Sequence, residues 1–401
     1  MADDTVDRFL HPRLSDLGDP FALPDLQQAA QRIWAAIDAG ERIAIFGDYD
    51  VDGITSTALL VQVLRRLGAQ VEPFLPHRMD EGYGLSMEAL ARCVESLKPR
   101  LIVTVDCGTG SVAAVQEARR LGIDVVVTDH HHPGPERAAA NALVNPKLGT
   151  VEDLKALAGV GVAFKLCHGL LKVGRDAGRS AAALDLRRYL DLVALGTISD
   201  IVPLAGENRI MVRHGLAQLN RTECPGLQAL ARVAGVEGRI DAYEVGFRLG
   251  PRLNAAGRLG DALLSLELLL GGDPERLQEI AGQLDATNRE RQELEARILR
   301  EATSEIDAYF DPARHFGLLV ARAGWHPGVV GIVASRLVQR YHRPTVVIGI
   351  GEEGGRGSCR SIDGFDMVAG LQRCAAHLRK FGGHTMAAGL EMRLPALIER
   401  N

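Results

Sequence analysis

The feature that most constrains this chain is a repeated unit in which a short, β-rich apolar run is followed by a stretch with helical spacing of its apolar residues. The runs are residues 42–46, 71–75, 101–105, 124–128 and 142–144, and segments 54–66 and 86–97 between them carry the helical pattern. Parallel strands need long crossover connections, so this alternation predicts a parallel sheet covered by helices. A further helical region, including residues 181–195, comes after the last run.

Polar clusters fall where these runs end. Asp48, Asp50 and Asp52 follow the first run within Gly47-Asp48-Tyr49-Asp50-Val51-Asp52-Gly53, Asp106 terminates 101–105, and Asp129-His130-His131-His132 terminates 124–128. A fourth cluster, Ser199-Asp200, closes segment 192–198. Open α/β sheets bind ligands beyond the carboxyl ends of their strands, so the position of these groups has meaning. Carboxylates gathered in one crevice repel, and divalent cations relieve the repulsion. Oxygen ligands suit hard cations, and an added imidazole shifts preference toward Mn²⁺, so the pattern predicts Mn²⁺ or Mg²⁺ chemistry. Two such ions about 3.5–4 Å apart can share a carboxylate. Asp106, alone on its strand end, is the candidate bridge. Taken singly, each acidic cluster reads first as a turn former, and the three histidines also fit a loop with no ligand role. Their joint occurrence at four segment ends favours a site.

The C-terminal third reads differently. From 273 to 310 the apolar residues Leu277, Ile280, Leu284, Leu294, Ile298 and Ile306 recur at helical intervals among many Glu, Arg and Gln, which predicts one long and mostly exposed helix. Asp273-Pro274 provides its start signal and Asp311-Pro312 its stop. Segments 317–321 and 345–350 read as strands with a helix at 329–341 between them, and Gly-rich turns continue to the end. A chain of 401 residues exceeds what one core usually organises. The expected division is a domain at 1–273, a connecting helix at 274–310 and a smaller α/β domain at 311–401.

Composition bounds the function. With 46% hydrophobic and 24% charged residues the whole chain should fold, and its net charge of −5 means that any nucleic-acid path must be local. The six cysteines form no CxxC pair and read as free thiols of a reducing, cytoplasmic compartment. No apolar run is long enough for a membrane span.

At these residues the chain resembles the DHH phosphoesterase superfamily, and within it the RecJ single-strand-specific exonucleases. Asp129-His130-His131 is the superfamily's motif, joined by Gly47 to Gly53, Val105-Asp106-Cys107-Gly108, Leu195-Gly196-Thr197-Ile198-Ser199-Asp200 and the segment Gly250-Pro251-Arg252-Leu253-Asn254-Ala255-Ala256-Gly257-Arg258. The resemblance implies that Asp50, Asp52, Asp106, His130 and Asp200 ligate two divalent cations. It also implies a catalytic set of His131 beside the scissile phosphate with Asp129 and Asp48. A carboxylate bonded to an imidazole fixes its tautomer, which is a reason for Asp129 to precede the histidines.

The C-terminal region resembles the family's DHHA1 domain through Gly324-Trp325-His326-Pro327-Gly328-Val329-Val330-Gly331, Ser358-Cys359-Arg360-Ser361 and Gly382-Gly383-His384. By that match Ser358, Arg360, His384, Arg252 and Arg258 contact the substrate's phosphates. Arg258 equally fits a side chain that satisfies backbone carbonyls, Gly382-Gly383 equally fits a tight turn, and Trp325 reads as core or cleft wall. Family members usually continue into an oligonucleotide-binding OB-fold. This chain stops at Asn401, within an incipient helix at 395–400, which reads as a truncation or a minimal member.

The function implied is a 5′ to 3′ exonuclease on single-stranded DNA with a role in repair and recombination, partnered by a helicase and a single-strand-binding protein. Two alternatives stand beside it. One is a nanoRNase or 3′-phosphoadenosine-phosphate phosphatase of the same superfamily, which usually has His where this chain has Phe46. The other is a non-catalytic replication-associated module.

Overall fold

The structure, a computed structural model, describes residues 3–77, 81, 84–352 and 354–393. The chain divides into two compact units, Met1–Thr287 and Asn288–Asn401.

The first unit is built on strands β1 (Arg42–Phe46), β2 (Gln70–Phe74), β3 (Leu101–Val105), β4 (Asp124–Thr128) and β5 (Ala142–Val144). They form a sheet of order β2-β1-β3-β4-β5 with every pairing parallel. The four other runs lie where the sequence put them, while β2 sits one residue earlier than 71–75. Its register is set by β1, which pairs Arg42 with Gln70 and ends with Phe46 on Phe74. Successive side chains alternate between two cores, as a strand requires. Ile43, Ile45, Val103 and Val105 join the larger helical cluster, and Ala44, Phe46 and Ile102 the smaller one on the other face. Phe46 is wholly buried there and stacks on Phe74 at 5.1 Å between ring centroids.

The helix after β1 spans Val51–Arg66 and is buried except at Gln62, Arg65 and Arg66, as befits a helix hydrophobic on most sides. It starts three residues before the expected Ile54 because Asp50 caps it. One Asp50 oxygen accepts from the backbone N–H of Asp52 at 2.9 Å and of Gly53 at 3.1 Å. Segment 192–198 lies inside a helix, Leu190–Ser199, with Asp200 at its C-cap. The helical region expected from 181 is interrupted before it by 3₁₀ turns at Ser180–Ala183 and Leu186–Tyr189. Asp185 favours that break, since its side chain accepts from Arg187 N–H at 3.0 Å.

The long helix runs from Pro274 to Asp307 over 34 residues, with Asp273 accepting from Arg276 N–H at its start. Its early apolar residues Leu277, Ile280 and Leu284 belong to the first unit's core, and Ile298 and Ile306 are buried further along.

The second unit holds β6 (Leu318–Ala323), β7 (Thr345–Gly351), β8 (Gly354–Arg360), β9 (Lys380–Gly383) and β10 (Ala387–Met392) in the order β6-β7-β8-β10-β9. Only β6 and β7 pair in parallel; the other pairings are antiparallel. The helix Pro327–Tyr341 connects β6 to β7. This corrects the reading of the last segment as a series of turns. The glycines there make room for neighbours: a Cβ on Gly357 would come within 2.9 Å of Ile348 and 3.1 Å of Leu390. The helix expected at 395–400 lies outside the described residues. Among those described, no helix is long and apolar enough to cross a membrane, and the six cysteines are free thiols.

Candidate metal centre

The carboxyl ends of β1, β3 and β4 and the end of helix Leu190–Ser199 bring their polar groups together. Asp48, Asp52, Asp106, Asp129 and His130 are all buried, a costly placement for so many acids. Nε2 of His130 lies 3.0 Å from Asp106, 3.6 Å from Asp200 and 3.8 Å from Asp52. Three groups of donor atoms have all members within 4.8 Å of one another: Asp106, His130 and His131; Asp52, His130 and Asp200; and Asp48, Asp50 and Asp106. Asp106 and His130 each belong to two of the groups, so the donor set has the form of adjoining sites that share ligands.

Several constraints fix the acids. Asp106 has a left-handed backbone with φ of 61°, unusual for a residue other than glycine and typical of functional sites. Asp52 accepts from Gly159 N–H at 2.6 Å and Val160 N–H at 2.8 Å, the first turn of helix Gly159–Asp176. Only glycine fits at 159, because a Cβ there would stand 2.7 Å from the Asp106 carboxylate. Asn254, on helix Gly250–Leu259, accepts from Val51 N–H at 3.1 Å and ties that helix to the acidic loop.

The electrostatics suit cations. Burial, then the charges of Asp200 and Asp50, hold Asp52 well above the usual carboxylate range. Burial and the four acids around it do the same for Asp106. Burial and Asp50 push Asp200 up to about 7 against the pull of His131 and Lys147. His130 is pushed down to about 3 by burial and by the charges of His131 and Lys147, so it presents a neutral imidazole, the form that ligates metals. Nε2 of His130 and one oxygen of Asp200 are buried and complete no hydrogen bond among the described residues. A divalent cation would satisfy both and cancel the surplus charge, so these residues fit one.

Asp129 is placed differently. Its two oxygens accept from the N–H groups of Thr109, His130 and His131 and from Nδ1 of His131 at 2.7–3.1 Å. Burial opposes its charge, but His131 and these N–H groups hold its carboxyl well below the usual range. Its imidazole partner is thus His131, and His130 receives only the backbone contact. Burial works against a charged His131, yet Asp129, followed by Asp200 and Asp48, raises its pKa. His132 points to solvent.

The remaining sequence candidates fall in both units. The Arg252 guanidinium is held by Asp285 at 2.9 Å and by the Arg248 carbonyl at 2.7 Å, and Arg258 is half-buried near the end of the same helix. In the second unit, Ser358 and Arg360 share one face of β8 and approach Gly331, while His384 is exposed in the β9–β10 turn. Trp325 is buried and donates to Glu301 at 2.7 Å, in keeping with a core residue.

Sequence reasoning missed Thr109, Asn145 and Lys147, which surround the Asp129–His131 loop. Asn145 follows β5 as the acidic clusters follow their strands, so the same strand-end rule would have found it. Exposed Tyr243 and Phe247 were also missed; their rings lie 4.9 Å apart beside a π-turn at Val245–Leu249. Pro251, which lacks an N–H for the Phe247 carbonyl, was the available signal for that turn.

Fold and site together define a DHH-type phosphoesterase architecture: residues 42–197 match the DHH family, N-terminal domain, and residues 315–400 the DHHA1 domain. The single-stranded-DNA-specific exonuclease RecJ of Bacillus subtilis is 43% identical over 96% of this chain and 48% of its own length. The RecJ of Dickeya dadantii is also 43% identical, over 96% of this chain and 69% of its own length. A crystal structure of exonuclease RecJ bound to manganese superposes with a TM-score of 0.83 and 38% identity, over 96% of this chain and 94% of that one. The chain belongs to the RecJ family. It spans about half the length of the Bacillus relative.

Proposed function

We propose that this chain is a metal-dependent phosphodiesterase that degrades single-stranded DNA from 5′ to 3′ into mononucleotides, serving DNA repair and recombination in the cytoplasm. The observation that carries the reading is the set of three donor groups linked to one another through Asp106 and His130. Its substrate follows from the relatives, curated as single-stranded-DNA-specific exonucleases. In this reading residues 1–273 form the catalytic domain, 274–310 connect, and 311–401 bind substrate. A helicase and a single-strand-binding protein are the partners.

Asp50, Asp52, Asp106, His130 and Asp200 would hold two divalent cations, Mn²⁺ or Mg²⁺, with Asp106 shared and Asp48 beside it. Bound there, the cations would draw charge from the phosphate and acidify a water molecule. The chain's own groups do the rest. Asp129 fixes His131 through Nδ1, which leaves Nε2 to donate to a phosphate oxygen. Arg252, Arg258, Ser358, Arg360 and His384 bind further phosphates. Tyr243 and Phe247 offer exposed π-faces to unpaired bases, a contact that duplex stacking withholds and that tolerates any sequence.

The test compares 5′-labelled and 3′-labelled single-stranded DNA, a dinucleotide and a duplex, each with Mn²⁺. Mononucleotides released from the 5′ end of single strands are expected. Turnover confined to the dinucleotide would assign the chain to the oligonucleotide-degrading branch instead, and binding without turnover would make it a non-catalytic module.

A further inference from the structure

We propose that Asn145 and Lys147 are positioning residues that grip the Asp129–His131 loop by its carbonyls, Lys147 setting His130 for the cation and Asn145 setting His131 for the phosphate. The inference rests on the reading of those two histidines given above. It assigns roles to residues that lie outside the acidic and histidine motifs.

The loop after β4 belongs to no ladder or helix beyond the bond from Asp129 N–H to the Val144 carbonyl at 3.0 Å. Its backbone polar groups must be satisfied in another way. The N–H groups of His130 and His131 turn inward to the Asp129 carboxylate. Their carbonyls turn to the segment after β5, where Lys147 Nζ donates to the His130 carbonyl and Asn145 Nδ2 donates to the His131 carbonyl at 2.9 Å. Each of these two peptide groups is thereby held through its carbonyl, and the imidazoles it flanks are fixed in consequence.

Asn145 suits this task because its amide has no freedom left. It is wholly buried, its second Nδ2 hydrogen goes to Thr109 Oγ1 at 3.0 Å, and its Oδ1 accepts from Lys147 N–H at 2.9 Å. Thr109 N–H in turn holds Asp129 at 2.9 Å, which closes a ring through Asp129, Thr109, Asn145 and His131. Fully satisfied buried networks of this type rigidify what they enclose. Lys147 is half-buried at the edge of the ring and reaches the neighbouring carbonyl.

The sign of one measurement separates positioning from charge. Lys147 is a cation beside a cluster of acids, so removing its charge alone should tighten the binding of another cation. Loss of a positioning contact should weaken it, by about 10–100-fold for groups that orient a ligand.

The experiment titrates the full chain with Mn²⁺ by calorimetry or electron paramagnetic resonance, for the parent, Lys147→Met, Lys147→Arg and Asn145→Ala. Turnover is measured in parallel at saturating Mn²⁺. The expected result is an Mn²⁺ dissociation constant raised about 10–100-fold in Lys147→Met and largely restored in Lys147→Arg. Asn145→Ala should lower kcat while leaving Mn²⁺ affinity near the parent's. Lys147, not being fully buried, is the variant that decides if Asn145→Ala fails to fold. Unchanged or tighter Mn²⁺ binding by Lys147→Met would overturn the proposal. Mn²⁺ binding by a parent that hydrolyses nothing would count against the exonuclease reading, and the Lys147 comparison would still decide this one.

Discussion

Gly159 donates its backbone N–H to the carboxylate of Asp52 at 2.6 Å, across 107 residues of sequence. Val160 donates to the other Asp52 oxygen, so the first turn of one helix holds an acid on the first turn of another. The helix N-terminus favours the negative charge that burial and neighbouring acids oppose. Asp52 is therefore kept in place before any cation arrives.

Substitution at Gly159 should damage this arrangement. A Cβ would fall 2.7 Å from Asp106, closer than packing permits. Gly159→Ala is expected to destabilise the first unit by about 1–3 kcal/mol and to shrink the rise in Tm on adding Mn²⁺. Thermal melts with and without Mn²⁺ check both effects. An unchanged melt in both conditions would contradict the geometry.

The same acids predict a pH dependence. Asp200, at about 7 in the fold against 3.8 for the free side chain, contributes stability that is full below about pH 4 and is lost as pH rises through about 7. Asp52 and Asp106 shift in the same direction. His130, lowered to about 3, acts oppositely: its contribution is present above 6.5 and lost as pH falls toward 3, one group against three. The metal-free chain should therefore melt lower at about pH 8 than at about pH 5. Because cations bind the deprotonated acids, the Mn²⁺-induced rise in Tm should grow across that interval. A rise independent of pH would contradict the coupling.

Asp129 holds His131 and belongs to none of the three donor groups, so its replacement should separate chemistry from metal binding. Asp129→Asn is expected to leave Mn²⁺ affinity close to the parent's. Its kcat should fall by about 10²–10⁴-fold, because without the Asp129 charge His131 no longer stays protonated on both ring nitrogens, the form in which Nδ1 is held while Nε2 donates. Parallel Mn²⁺ titration and turnover test this. Equal losses in both would place Asp129 among the ligands.

The strand-binding role proposed for exposed Tyr243 and Phe247 predicts a substrate-dependent effect. Phe247→Ala should reduce kcat/KM on long single strands by about 10–100-fold, the equivalent of about 1–3 kcal/mol per stacked base. Turnover of a dinucleotide should change little. Equal effects on both substrates would remove the pair from strand binding.

How legible this was in the sequence depended on how local the signal is. Strands β1, β3, β4 and β5 follow from short, mostly apolar runs rich in β-branched residues, and the acids at their ends follow from position in a parallel sheet. Asp200 was found although its segment is a helix, because an apolar stretch of seven residues reads alike in both forms. Strands β8 to β10 were hidden because their glycines serve tertiary contacts that no local pattern reveals, Gly357 with Ile348 and Leu390 and Gly383 with Ala388. The hold of Gly159 on Asp52 and the ring through Asn145 are products of tertiary structure. The partner of Asp129 could be narrowed to one of two histidines, and only the fold selects His131.

If Asp106 is shared between two cations that drive phosphodiester hydrolysis, Mn²⁺ stoichiometry and nucleotide release from single-stranded DNA should both respond to Asp106→Ala. The parent chain should bind two Mn²⁺, and the variant should release no nucleotide while its circular dichroism shows the fold retained. Undiminished hydrolysis by Asp106→Ala would contradict that role.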